Sequence, residues 1–316
     1  MQDELIKEEK KLTQILFPGL SNYFSKFKKN ASDVKKNADP DSVHDLRVSI
    51  RRLKSIVYIF KEMTDGLKIG PFKKEMKKIM KPFGRLRDMH VQEDLLKESV
   101  KTEKENNFIA PFLHQLGVKI QREEDALEDH IRKFTFDHTE NLISGILSRK
   151  SITLPRKNKY KRIAERGLSY PVTRYILQES LKKCFACFPI IKNPACEHEY
   201  HRLRVNIKKL RYKLEILGEL VQEEMPPEGI ELFKKIQDDM GDAHDIDVAR
   251  RDVNGFFQEY DPEIFHTKEY NTWRKRIRSQ REALYRSSLE ELEKLKMMNF
   301  YTDGLESPEQ QKNAAE

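Results

Sequence analysis

The chain is poor in glycine and cysteine. Its 316 residues include 12 glycines, 13 prolines and 3 cysteines. Three cysteines do not make the disulfide framework of a small secreted domain, so reduced thiols are the expectation. Few glycines, and no alternating β-branched runs between turn residues, favour long helices over strands. The sequence therefore predicts an all-α protein.

Long apolar segments are missing as well. The longest apolar run covers about eight residues, from Cys184 to Ile191, and a proline interrupts it. A helix that spans a membrane needs about 20 such residues. The first residues, MQDELIKEEKK, are charged and lack the apolar region of a secretory signal peptide. These features predict a cytoplasmic protein without membrane contact.

The charge balance is basic but modest. Lys and Arg number 60 against 52 Asp and Glu, which gives a net charge of +8. This excess suits a polyanionic partner, yet it is small for a chain of this length. The arrangement of the cations is therefore more informative than their number.

A basic helix occurs twice in the sequence. The segment VHDLRVSIRRLK, which begins at Val43, aligns with YHRLRVNIKKLR, which begins at Tyr200, at an offset of 157 residues. At the same offset, KKIMKPFGRLRDMHV from Lys77 aligns with KKIQDDMGDAHDIDV from Lys234. Two blocks in one register indicate a duplicated unit.

Each copy of this helix separates basic from apolar residues, because successive helical residues turn by about 100°. No Asp or Glu interrupts the basic stripes, whereas solvated helices usually mix charges of both signs. We therefore predict that the apolar stripes form core and that the basic stripes bind an anion. The basic stripes are His44, Arg47, Arg51 and Lys54, then His201, Arg204, Lys208 and Arg211; the apolar stripes are Leu46, Ile50, Leu53 and Val57, then Leu203, Ile207, Leu210 and Leu214.

Both basic helices begin with matching signals. Asp39-Pro40 and Asn193-Pro194 each resemble an N-cap followed by proline at the first helical position. The histidine that starts each basic stripe then lies near the positive end of its helix, where phosphate is favoured. The alternative is that each histidine makes a structural hydrogen bond to a neighbouring helix.

The repeated H-x-x-R-x-x-x-[RK]-[RK]-L-[RK] helices resemble those of the CHAD family, the conserved-histidine α-helical domain. Two G-x-x-[RH]-D-x-x-V segments and the sequence KKLRY, ending at Tyr212, share the resemblance, which runs from about residue 10 to 300. It implies two pseudo-symmetric four-helix bundles that form a basic central cleft or pore, and binding of inorganic polyphosphate.

The helical pattern divides into two repeats. The first repeat is expected over residues 1–135, a basic connector over 136–170, the second repeat over 171–300 and a disordered tail over 301–316. The predicted helices are Glu4–Asn30, Asp41–Met63, Pro71–Lys101 and Asn107–Phe134 in the first repeat, and Val172–Pro189, Ala195–Glu223, Glu228–Tyr260 and Thr267–Met297 in the second.

The predicted function is non-enzymatic binding of polyphosphate, without cofactor or metal. Asp88 and Asp245, kept in both copies of the second block, are interpreted as partners that orient a neighbouring Arg or His. The predicted ligand-binding residues are His44, Arg47, Arg51, Arg52, Lys54, His201, Arg204, Lys208, Lys209 and Arg211, with Lys78, Arg87, Lys119, Arg122, Lys235, Arg278 and Arg281 as additional candidates.

Two other functions stay open at this point. A helical RNA- or DNA-binding protein is the first, although the stripes lack interleaved aromatics for stacking bases. A metal-dependent phosphohydrolase is the second. It would use His44 and His201 with the acids between Asp238 and Asp247. A zinc site at Cys184, Cys187, Cys196 and His198 has irregular spacing and no counterpart in the first repeat.

Overall fold

The computed structural model of the protein describes residues 2–37, 39–133, 135–155, 160, 163, 169–191, 197–221 and 227–297. Across these residues the chain is helical and contains no β-strand, so the all-α prediction is confirmed. The helices are α1 (Gln2–Lys36), α2 (Pro40–Met63), α3 (Gly70–Ser99), α4 (Glu103–Lys133), α5 (Asp137–Leu147), α6 (Pro171–Phe185), α7 (Phe188–Ile191), α8 (Glu197–Leu217), α9 (Pro227–Tyr260) and α10 (Lys268–Met297); Gly218–Val221 and Pro262–His266 form 3-10 turns.

Two compact units make up the chain. The first comprises the described residues of Met1–Val172 and Asp242–Glu282, and the second those of Thr173–Gly241 and Ala283–Glu316. The predicted repeat boundaries follow the sequence duplication and stay a prediction, and the predicted tail lies outside the described residues.

In the first unit, α1 to α4 form a ring of packed neighbours. Helix α2 packs against α1 and α3, α3 packs against α4, and α4 returns to α1. Short connections join α2 to α3 and α3 to α4, as expected for antiparallel neighbours. Apolar residues at helical spacing supply the core, and the Phe17 and Phe60 rings meet edge to face at 5.1 Å between centroids.

The part of α10 that belongs to the first unit packs at the junction of α3 and α4. Trp273 of α10 is fully buried and donates a hydrogen bond from Nε1 to the Ser99 hydroxyl at 2.8 Å. Arg276, one turn further along, donates to the buried carboxylate of Glu105 at 2.6 Å. These bonds join the corner between α3 and α4 to α10.

The predicted connector contains a helix that the sequence interpretation did not anticipate. Helix α5 is amphipathic, and Thr139, Ile143 and Ile146 form its buried face. After it, the backbone N–H groups of Ile152 and Leu154 donate to side chains of α1. This part of the connector is therefore bound to the first unit.

Side-chain contacts among α6, α8, α9 and α10 hold the second unit together. Tyr200 of α8 bonds the hydroxyl of Ser288 in α10 at 3.1 Å. Lys213 of α8 donates to the Ser180 hydroxyl of α6 at 2.9 Å. The carboxylate of Glu291 in α10 pairs with Lys235 of α9. Helix α8, which carries the second basic stripe, is thus anchored on its other sides.

Candidate anion-binding surfaces

Helix α2 begins where the sequence predicted. Asp39 is its N-cap, with proline at the first helical position, and its carboxylate accepts a hydrogen bond from the Ser42 backbone N–H at 2.7 Å. This cap satisfies one of the N–H groups that a helix start leaves without an internal partner. The matching signal at Asn193-Pro194 lies outside the described residues.

The apolar faces of both repeated helices are confirmed as core. Every residue of the two apolar stripes is at most 1% exposed. The opposite face of each helix then cannot also be buried in the same core. Most residues of the basic stripes are accordingly half-buried or exposed, including His44 and His201, which are exposed.

Arg47 departs from this pattern. It is 8% exposed, and its guanidinium lies across the contact between α2 and α3. Nη1 donates to the backbone carbonyls of Phe83 and Gly84, the latter at 2.9 Å, and Nη2 lies 3.5 Å from the Asp88 carboxylate. Burial, reinforced by the positive charge of Arg51, lowers the pKa of Arg47, and Asp88 opposes that shift.

The Arg47 contacts bear on two predictions. Asp88 was predicted to orient a neighbouring Arg or His, and it lies beside Arg47 as an ion pair. Arg47 was predicted to face outward as a ligand-binding residue. Instead Nη1 donates to two backbone carbonyls of α3 and Nη2 lies beside Asp88, so part of its hydrogen-bonding capacity is directed at α3.

The cations of α2 that follow Arg47 are at least partly accessible to solvent. Arg51 and Lys54 are half-buried and Arg52 is exposed. Among the described residues, no carboxylate lies within 4 Å of any of these three cations. Burial and then the positive charges of Lys73 and Arg51 lower the pKa of Lys54. This surface holds several like charges together without neutralising them, which favours an external anion.

Two additional candidates lie on α3. Arg87 is half-buried, and its charge contributes to the lowered pKa of Arg47. Lys78 is exposed on the side of α3 that faces α4, where burial and the charge of Lys78 together lower the pKa of His130. These two cations therefore lie on different sides of α3.

On α8, the second basic stripe is partly paired within its own helix. Arg211 forms an ion pair with Glu215 at 3.3 Å and lies over the Tyr212 ring, 5.0 Å from the centroid. Arg204 and Lys208 are half-buried, and Lys209 is exposed. The second helix thus presents cations at the positions that match Arg51 and Arg52.

Most of the other additional candidates have partners near them. Arg278 pairs with Glu282 at 2.8 Å, Arg281 with Asp247 at 3.2 Å, and Lys235 with Glu291. Lys119 donates to the Gln115 amide oxygen, and Arg122 is exposed. Ion pairing neutralises part of the charge of these cations, so they are weaker candidates for contact with a ligand than Arg51 or Lys54.

The acids and cysteines of the alternative chemistries have other neighbours in the described residues. There, no group of three or more His, Cys, Asp or Glu side chains is placed to hold a metal ion. Asp239 accepts a hydrogen bond from Ser287, and Asp247 pairs with Arg281. Cys184 and Cys187 are buried, and burial raises the pKa of Cys184 to about 12. Cys196 lies outside the described residues.

Comparison with known proteins identifies relatives. The CHAD domain family model matches residues 19–253, roughly three quarters of the chain. The crystal structure of the CHAD domain from the plant Ricinus communis superposes with a TM-score of 0.57 at 16% identity, covering 94% of this chain and 93% of that chain. Curated protein sequences gave no match.

No helix in the described part of the chain is both long and apolar enough to cross a membrane.

Proposed function

The chain belongs to the CHAD domain family, and from this premise we propose that it binds inorganic polyphosphate without chemical turnover. The two basic helices, α2 and α8, supply the binding residues. The first candidates on α2 are Arg51, Arg52 and Lys54, and those on α8 are Lys208 and Lys209, with His44 and His201 at the starts of the stripes.

One observation carries the proposal. Arg51, Arg52 and Lys54 lie within one turn of each other on a helix whose opposite face is fully buried, and no described carboxylate lies within 4 Å of them. Mutual repulsion between such cations destabilises the free protein slightly, and a bound polyanion removes it. A row of cations that lacks internal counter-ions is therefore suited to an extended anion.

Polyphosphate fits this row by its own chemistry. It is a linear chain with a charge on each repeating unit, so it needs cations at short, regular intervals and no recognition of bases. Arginine can bind two phosphate oxygens through its planar fork, and lysine acts as a point charge. The four positions of each basic stripe carry no Phe, Tyr or Trp on which a base could stack.

A titration of the full chain tests the proposal. Polyphosphates of several lengths and a single-stranded oligonucleotide of matched charge are titrated at two salt concentrations by calorimetry. We expect tighter binding of polyphosphate than of the oligonucleotide, with an affinity that falls as salt rises, since binding releases counter-ions. Equal or tighter binding of the oligonucleotide would favour a nucleic-acid-binding function.

A second measurement examines turnover. The chain is incubated with polyphosphate and Mg²⁺ or Mn²⁺, and released phosphate is followed over time. We expect no release above the rate without protein. Release that is proportional to protein concentration and lost in the His44→Gln, His201→Gln double variant would contradict the non-enzymatic proposal and favour a phosphohydrolase.

A further inference from the structure

Helix α3 carries a basic line that the repeat pattern did not single out as a unit. Lys73 and Lys77 precede Gly84 by eleven and seven residues. At about 100° per residue, both spacings return to within roughly 20° of the same direction. Lys73, Lys77 and Gly84 therefore share one side of α3, and both lysines are exposed.

That side of α3 faces the basic stripe of α2. Arg47 marks the direction, since its guanidinium reaches the Gly84 carbonyl at 2.9 Å. Because α2 and α3 are antiparallel neighbours, residues later in α2 lie opposite residues earlier in α3. Arg51 and Lys54, which follow Arg47 on one face of α2, thus run alongside the part of α3 that holds Lys77 and Lys73.

The electrostatics agree with this register. After the effect of burial, the charge of Lys73 makes the largest contribution to the lowered pKa of Lys54. Within the described residues, neither Lys73 nor Lys77 has a carboxylate within 4 Å. Asp88 lies at the far end of this contact, beside Arg47, and its side chain is 78% exposed.

We propose that Lys73 and Lys77 of α3 form a second wall of the first anion-binding surface, opposite Arg51 and Lys54 of α2, and contact the same segment of polyphosphate. This inference rests on the proposed function. It also assigns Arg47 the role of a positioning residue, which holds α3 against α2 through the Phe83 and Gly84 carbonyls.

The same helix offers a matched control. Lys74 and Lys78 each lie one residue, or about 100°, away from the proposed pair, and both are exposed. Lys78, an additional ligand-binding candidate of the sequence prediction, lies on the side of α3 toward α4, where its charge acts on His130, and it is not part of the surface proposed here. The double variants Lys73→Ala, Lys77→Ala and Lys74→Ala, Lys78→Ala therefore remove the same charge from the same turns of one helix.

The experiment measures polyphosphate affinity of the full-length wild type and both double variants at four salt concentrations. We expect the Lys73, Lys77 variant to bind at least tenfold more weakly at low salt. Its slope of log affinity against log salt should shrink by roughly 0.7 per lost contact, the value for flexible single strands. The Lys74, Lys78 variant should keep a slope close to that of the wild type.

The possible results separate this inference from the proposed function. If the wild type binds and the two double variants lose affinity equally, the second wall is wrong while polyphosphate binding stands. If the wild type does not bind, both fail. Arg47→Lys extends the test: a positioning residue predicts weaker binding with an unchanged salt slope, whereas a reduced slope would make Arg47 a ligand contact.

Discussion

The guanidinium of Arg47 in α2 donates a hydrogen bond to the backbone carbonyl of Gly84 in α3, at 2.9 Å. Each residue belongs to one of the two repeated blocks, so the first copy of the repeat is joined internally by this pair. An added Cβ at position 84 would lie 3.9 Å from Nη1, an ordinary van der Waals contact. The bond therefore depends on the arginine more than on the lack of a side chain at Gly84.

Arg47→Ala should destabilise the protein more than removal of an exposed cation. Hydrogen bonds made by a charged group contribute about 1.5–3 kcal/mol, and Arg47 makes its bonds at a buried helix contact. Arg52→Ala, at an exposed site on the same helix, should change stability by no more than about 0.5 kcal/mol. Urea unfolding of both variants measures the difference. Equal losses of stability in the two variants would show that Arg47 has no special structural role.

Leu53→Ala and Leu210→Ala should each cost about 2–5 kcal/mol, because both leucines are fully buried and truncation leaves a cavity. The neighbouring Arg52→Ala and Lys209→Ala serve as controls on the opposite faces. Thermal or urea unfolding gives the comparison. A leucine variant as stable as its neighbouring control would place that apolar stripe outside the core.

Both basic helices should contribute to polyphosphate affinity. The double variants Arg51→Gln, Arg52→Gln and Lys208→Gln, Lys209→Gln remove matching charges from the two copies. At about 1 kcal/mol for each cation, either change should weaken binding roughly tenfold or more, and the two losses should be similar. Calorimetric titration also gives the stoichiometry. A variant that binds like the wild type would show that its helix takes no part.

Acid should destabilise the protein in part through His130. Burial, with the charge of Lys78, lowers the pKa of His130 in the folded state. At pH values between that lowered pKa and about 6.5, the folded chain therefore binds fewer protons at this residue than the unfolded chain does. Stability from this source is complete above about pH 7 and is lost as pH falls through that window.

Substitution of His130 tests this linkage. The free energy of unfolding of His130→Gln should fall less between pH 7 and pH 5 than that of the wild type. His114→Gln, at an exposed site on the same helix, is the control and should follow the wild type. A His130 variant with the wild-type slope would assign the pH dependence to other groups.

Local patterns were sufficient for the two repeated basic helices and their buried faces. The apolar stripes of α2 and α8 repeat every three or four residues, which commits one side of each helix to the core whatever its neighbours are. The Asp39 cap of α2 is also local, because donor and acceptor lie three residues apart. Helix α5 was missed because the surrounding connector is rich in basic and polar residues that obscured its short apolar face.

By itself, the sequence determined the all-α class, the duplicated basic helix, the apolar faces and the family resemblance, since each depends on residue types and their spacing along the chain. The tertiary structure decided which cations are open to a ligand, because that depends on what a neighbouring helix presents. Arg47 and Arg51 belong to the same stripe, yet Arg47 bonds the carbonyls of α3, whereas Arg51 has no carboxylate within 4 Å among the residues that the structure describes. A helical pattern gives the direction of a side chain, and packing between helices decides what that side chain meets.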